Sequence, residues 1–173
     1  RVSSSKPQLP DAVYSGDTDG IIFMQDISEK LIDKAVASGV PSIIVDSHSI
    51  SNKIPSIEPD YRKATYDATK YLIAHGHTNI AMIASDTVLD FYKQSLLGFC
   101  DAMNEAGLTA NPESCGISAR DEDSAYKASE KLISGGNTPT AIVCTVDSFA
   151  IGAMRCAKDM GFSVPNDISF IGI

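Results

Sequence analysis

Residues 140–172 read TAIVCTVDSFAIGAMRCAKDMGFSVPNDISFIG, and this stretch decides the fold. Residues 140–145 form an apolar, β-rich run, the pattern of a buried strand. Residues 149–160 have helical composition, with Gly161 placed as the C′ residue and Pro165 as the break. Residues 168–172 form a second strand. Two strands joined through a helix of this length run parallel, because an antiparallel pair needs only a tight turn.

The same rhythm continues upstream. Gly20-Ile21-Ile22-Phe23-Met24 reads as a buried strand. A helix follows, with Asp26 and Glu29 as a capping pair, Leu31, Ala35 and Val36 as its inner stripe, and Gly39 and Pro41 at its end. Residues 42–45 are the next strand, and the loop 46–59 holds a short extended piece near Ile57. A helix over 61–75 is expected to bury Ala64, Ala68, Tyr71 and Leu72 before Gly76 stops it. Residues 79–84 are a strand, and 93–106 a helix that stacks Leu96, Cys100 and Met103. A weak strand is expected over 114–118. Asp121, Glu122 and Asp123 then suit a helix N-terminus, where the dipole favours negative charge, and Gly135-Gly136 closes that helix. Residues 1–19 read as a loop or frayed leading strand. The alternation predicts an α/β fold with doubly wound parallel sheets. A stop at Ile173, in or just after a strand, reads as a fragment cut at both ends.

Composition narrows the function. The chain has 173 residues, 43% hydrophobic and 21% charged, which is globular rather than membrane-spanning. Residues 1–10 lack the apolar core of a signal peptide. The net charge of −8 argues against phosphate-backbone contacts by these residues, so any DNA binding belongs to another segment. Cys100, Cys115, Cys144 and Cys156 show no CxxC spacing and read as free, mostly buried thiols suited to a reducing cytoplasm. His75 and His77 flank a helix end without metal-site spacing. No GxSxG, P-loop or GxGxxG appears. A binding module without cofactor or metal, rather than an enzyme, is the expectation.

Several local signatures together resemble the lactose/purine repressor (LacI/GalR) family. They are Asp19-Gly20-Ile21-Ile22, then Gly39-Val40-Pro41 ahead of a strand ending in Asp46, and Asp60 before a helix closing with Tyr71-Leu72-Ile73. Gly76-His77 and Asn79-Ile80-Ala81 come next, followed by Gly98-Phe99-Cys100-Asp101-Ala102-Met103 and Ala106-Gly107-Leu108. Pro139-Thr140-Ala141-Ile142 leads to Asp147 and Ala150-Ile151-Gly152-Ala153. Gly161-Phe162 and Val164-Pro165-Asn166-Asp167-Ile168-Ser169 end at Ile171-Gly172. Their order and spacing, more than any one piece, carry the resemblance.

The resemblance implies two Rossmann-like subdomains of the periplasmic-binding-protein-like type around an effector cleft. Residues 1–77 would belong to the first and 78–173 to an incomplete second. It further implies a cytoplasmic homodimer whose headpiece, absent here, binds operator DNA when a small-molecule effector biases it.

Open parallel sheets bind ligands beyond the carboxyl ends of their strands. The polar residues there are Gln25, Asp26, Asp46, Ser47, His48, Ser85, Asp86, Arg120, Asp147 and Ser148. By resemblance Asp147 accepts hydrogen bonds from an effector; as a residue it also reads as a helix N-cap. Ser95 stands where the family carries a cleft arginine. Arg120 replaces an aromatic that stacks on the ligand, and reads equally as an anion contact or a solvated charge beside three acids. Val146 stands where the family often has Asn, which removes a further polar contact. Phe91 and Tyr92 sit in a loop at the cleft mouth, either flanking a sugar ring or packing on themselves. Asp60 matches a crossover aspartate, although helix capping explains it more simply.

The departures at Ser95, Arg120 and Val146 predict an effector that is not a plain copy of lactose, galactose or purine. A sugar or sugar derivative remains the expected class. The rival reading is a periplasmic sugar-binding protein serving a transporter or chemoreceptor. A helix-turn-helix segment upstream in the gene supports the first reading and a signal peptide the second.

Overall fold

A computed structural model describes residues 8–24, 27–47, 51–85, 90–110 and 117–173, with Asp90, Ile117 and Ser118 described by backbone alone. Gln25, Asp26, His48, Asp86 and Cys115, among the expected features, lie outside the described residues. The chain divides into two compact units, residues 1–59 and 60–173.

In the first unit β1 (Ile21–Met24), β2 (Ser42–Val45) and β3 (Ser56–Ile57) form a parallel sheet in the order β1-β2-β3. Helix α1 (Asp11–Ser15) precedes β1, where the sequence suggested only a loop or frayed strand. Helix α2 (Glu29–Ser38) connects β1 to β2. Phe23 and Ile44 bury against Ile32, Ala35, Leu9 and Val13. The inner stripe of α2 therefore differs from expectation: Ile32 is buried and Val36 is exposed. The apolar residues of α2 do not define one stripe, and contact with Phe23 and Ile44 selects Ile32 and Ala35.

The second unit runs α3 (Tyr61–Ala74), β4 (Ile80–Ala84), α4 (Asp90–Glu105), β5 (Ile117–Ser118), α5 (Glu122–Ser134), β6 (Ala141–Cys144), α6 (Asp147–Asp159) and β7 (Ser169–Gly172). Its sheet is parallel throughout, ordered β5-β4-β6-β7. The period of two along a strand sends alternate residues to opposite faces. Ile80, Met82, Ala141 and Val143 pack with Leu72 of α3 and Phe99 and Met103 of α4. Ala81, Ile83, Ile142 and Cys144 pack with Ala125 and Leu132 of α5 and Phe149 and Ala153 of α6. Two half-cores back to back make the doubly wound arrangement that the sequence predicts.

The expected boundary between residues 77 and 78 does not coincide with the division of the chain. Helix α3 packs against α4 in the second unit, so the chain divides between Pro59 and Asp60. Its buried stripe is Thr65, Thr69 and Leu72, while Tyr71 is exposed. The two threonines can face inward because Thr65 Oγ1 donates to the Tyr61 carbonyl at 3.0 Å and Thr69 Oγ1 to the Thr65 carbonyl at 2.8 Å. With the hydroxyls satisfied, their methyl groups behave as small apolar surface.

Glycine sets the closest approach of each helix pair. A Cβ on Gly98 of α4 would overlap the Arg62 carbonyl oxygen and lie 2.9 Å from its carbon. A Cβ on Gly152 of α6 would overlap the Glu122 carbonyl oxygen and lie 3.0 Å from its carbon. Both pairs are also tied at the surface. Arg62 pairs with Asp101, and Arg155 reaches Glu122 at 2.7 Å and Asp123 at 2.8 Å. Exposed pairs of this kind add little stability, so the glycine contacts dominate the helix spacing.

Candidate ligand site at the carboxyl edge of the second sheet

Parallel strands with crossover helices place every strand-to-helix turn at one edge of the sheet. In the second unit that edge collects the ends of β4, β5, β6 and β7. It also collects the N-termini of α4, α5 and α6, which follow their strands, and of α3, which runs antiparallel into β4.

Asp147 is the first residue of α6, three residues past the end of β6, and it is exposed. The N-cap is Val146, and no side chain caps the helix. This corrects the N-cap reading of Asp147: a side chain at the first helical position lies one residue past the capping geometry. Its carboxylate stands over Gly172 at the end of β7, where an added Cβ would overlap Oδ1 and lie 3.1 Å from the Asp147 Cα. Gly172 thus leaves the room in which this carboxylate sits.

Arg120 follows β5 and is exposed. Its backbone N–H donates to Ser124 Oγ at 2.8 Å, which fixes the main chain and leaves the guanidinium out of that bond. The neighbouring acids are engaged elsewhere: Asp121 caps α5 in a reciprocal box with Ser124, and Glu122 and Asp123 pair with Arg155. Hydrogen bonds from the Ser124 hydroxyl and N–H hold the Asp121 carboxyl below its ordinary range. Among the described residues the Arg120 side chain forms no salt bridge.

Phe91 and Tyr92 lie in the first turn of α4, not in a loop, because that helix begins at Asp90. Their rings are 3.7 Å apart, and Phe91 also meets Tyr61 of α3 at 5.2 Å. The cluster is half-buried, with part of its ring surface open to solvent. Ser95, one turn on, is 2% exposed and donates to the Phe91 carbonyl at 2.9 Å. It bonds back into its own helix, so its hydroxyl is already engaged.

Asp60 caps α3, accepting from the Lys63 N–H at 2.9 Å. Asp60→Ala should therefore cost about 1 kcal/mol of stability. Urea unfolding checks this, and an unchanged midpoint would remove the capping role. The starts of α3 and α4 thus bring Tyr61 and Phe91 together, with Asp60 capping α3 and Ser95 buried one turn into α4. Asp147 and Arg120 stand apart, on turns separated by β4 in the sheet order.

Sequence reading missed three participants. Tyr61 enlarges the aromatic cluster, and Gly172 makes space for Asp147. Thr145, just past the end of β6, is 5% exposed, and its hydroxyl has no hydrogen-bond partner among the described residues. Thr145 was legible only as one polar residue closing the run Ala141 to Cys144, since neither composition nor period reveals whether a hydroxyl is satisfied. At the corresponding edge of the first unit, Asp46 adopts a left-handed backbone with φ of 62°. Aspartate tolerates that region better than most residues.

The histidines and cysteines have structural surroundings. His75 Nδ1 lies 2.8 Å from the Tyr71 carbonyl oxygen, and His77 Nδ1 lies 3.0 Å from Thr140 Oγ1. Cys144 and Cys156 are buried free thiols, and burial pushes Cys144 up to about 12, which leaves it a neutral, unreactive thiol. No helix among the described residues is long and apolar enough to cross a membrane.

An open parallel sheet with polar groups and part-open aromatics at its carboxyl edge defines a ligand-binding core of the periplasmic-binding-protein-like class. Residues 10–172 match the family described as periplasmic binding proteins and sugar binding domain of LacI family, and the chain belongs to that family. It is 35% identical over 156 residues to catabolite control protein A of Priestia megaterium, covering 89% of this chain and 47% of that protein. It is likewise 35% identical over 158 residues to the HTH-type transcriptional repressor PurR of Vibrio vulnificus (strain CMCP6), with the same coverage of 89% and 47%. A LacI-family regulatory protein from Chloroflexus aggregans has the same fold, with a TM-score of 0.86 at 24% identity over 94% of this chain and 59% of that one. The chain spans about half the length of the curated relatives it matches. The first is named as a control protein and the second as a transcriptional repressor.

Proposed function

We propose that the chain is the effector-sensing core of a transcriptional repressor, taking a sugar or sugar derivative at the carboxyl edge of its sheet. The observation that carries this is the exposed Asp147 carboxylate, which makes no cap bond and stands in the clearance above Gly172. Such a carboxylate suits ligand hydroxyls or amines as donors. The part-open Phe91–Tyr61 surface suits the apolar face of a sugar ring. The two regulator relatives support a repressor over the periplasmic alternative.

On this reading the effector binds one conformation of the core better than another. That difference in affinity biases a DNA-binding segment outside these residues. The regulator acts in the cytoplasm as a homodimer, and the acidic chain leaves operator contacts to that other segment. The test uses the full-length protein. Thermal shift against glucose, galactose, ribose and their phosphate esters identifies a ligand, and operator retention is then measured with and without it. A ligand that stabilises the protein yet leaves DNA binding unchanged would overturn the sensing role.

Arg120 extends the proposal to ligand charge. With Ser95 buried and too short to substitute for a cleft arginine, the exposed Arg120 guanidinium at the carboxyl edge suits a phosphate substituent. Arg120→Ala should remove a preference of about tenfold for phosphorylated over neutral sugars. Calorimetry on both ligand classes decides it, and equal affinities in the unsubstituted protein would leave Arg120 as a solvated charge.

A further inference from the structure

We infer that Thr145 is a specificity-determining residue whose hydroxyl hydrogen-bonds a hydroxyl of a bound sugar; this rests on the effector-binding reading above. Two buried side-chain hydroxyls lack a partner among the described residues, Ser129 and Thr145. Leaving such a group unbonded destabilises a fold, and burial without a partner calls for an explanation. Their positions give different answers.

Ser129 lies two turns inside α5, between Ala125, Leu132 and Ile133 of the apolar core, away from the sheet edge. Thr145 is at the rim. Its N–H donates to the Ile83 carbonyl at 3.1 Å, which carries the β6 ladder one residue past Cys144. Ala141 and Val143 face α3 and α4, whereas Ile142 and Cys144 face α5 and α6. The alternation sends Thr145 toward the α3 and α4 side. That is the side where the first turns of those helices bring Tyr61 and Phe91 together.

Thr145 is therefore a buried donor and acceptor at the strand end, two residues before the Asp147 carboxylate and on the face of the aromatic cluster. A sugar supplies what this arrangement lacks: hydroxyls for Thr145 and Asp147, and an apolar ring face for the aromatics. A methyl in place of the Thr145 hydroxyl would suit the free protein better. Stability and binding are thus expected to respond in opposite directions.

The experiment compares Thr145→Val, Thr145→Ser and Ser129→Ala in the full-length protein. Each is measured by melting temperature and by calorimetry with glucose, galactose, ribose and their phosphate esters. Thr145→Val is expected to melt at or above the unsubstituted protein while binding its sugar about tenfold or more weakly. Thr145→Ser should keep most of the affinity, and Ser129→Ala all of it. Unchanged affinity in Thr145→Val overturns the inference while leaving the sensing role intact. A lowered melting temperature in Thr145→Val also overturns it, because the hydroxyl would then be bonded within the fold. If none of these sugars binds the unsubstituted protein, the sugar-sensing proposal itself fails, and this inference with it.

Discussion

Gly98→Ala should destabilise the protein by about 3 kcal/mol, even though alanine is the better helix former. The intrinsic gain from removing a mid-helix glycine is about 1 kcal/mol. Against it stands the Arg62 backbone, whose carbonyl oxygen a Cβ on Gly98 would overlap and whose carbon would lie 2.9 Å away. Tyr66 N would lie 3.1 Å away. Backbone in a packed helix cannot swing aside as a flexible side chain can. Helices α3 and α4 would have to separate, withdrawing Leu72, Phe99 and Met103 from their shared core. Gly152→Ala should act similarly on α5 and α6 through the Glu122 backbone. The sites lie on opposite faces of the sheet, so the losses should add in the double variant. Urea denaturation of the single and double variants measures this. A variant as stable as the parent would show that the helix pairs can separate without loss.

Asp147→Ala should weaken effector binding by about 1–3 kcal/mol, the range for losing a polar contact to a ligand. Because no cap bond is lost, the accompanying change in stability should be small. Only the favourable placement of a negative charge in the first helical turn disappears, worth about 0.3–1 kcal/mol. The pattern to expect is thus a large change in affinity with a nearly unchanged melting temperature. Asp147→Asn, which preserves shape above Gly172, should lose less affinity toward hydroxyl donors than Asp147→Ala. A lowered melting temperature with unchanged affinity would return Asp147 to a purely structural role. Gly172→Ala offers an independent approach: its Cβ would displace the carboxylate and should reduce binding while leaving Asp147 in the chain.

Sequence alone determined the architecture of this protein. The alternation of short apolar runs with helical segments, closed by Gly39, Gly76, Gly107 and Gly161, requires parallel strands with crossover helices. Because strand ends and helix starts alternate along the chain, sequence alone places Asp147 and Arg120 at the carboxyl edge. The helix-start acids were legible for the same reason, since Asp121 and Ser124 stand three residues apart and cap locally. Properties set by neighbours in sequence can be read from sequence.

Tertiary structure decided the rest. Whether Ile32 or Val36 faces the core of the first unit depends on contact with Phe23 and Ile44 of the sheet. Helix α3 belongs to the second unit because Leu72 packs with Phe99 and Met103 of α4. Gly98 and Gly152 resemble ordinary helix-weakening residues until the opposing backbone is in place. The same holds for Thr145, a buried hydroxyl without a partner among the described residues, which no local pattern reveals. Each depends on atoms distant in the chain but adjacent in space, and packing at interior density makes such placements matter at the scale of a single methyl group.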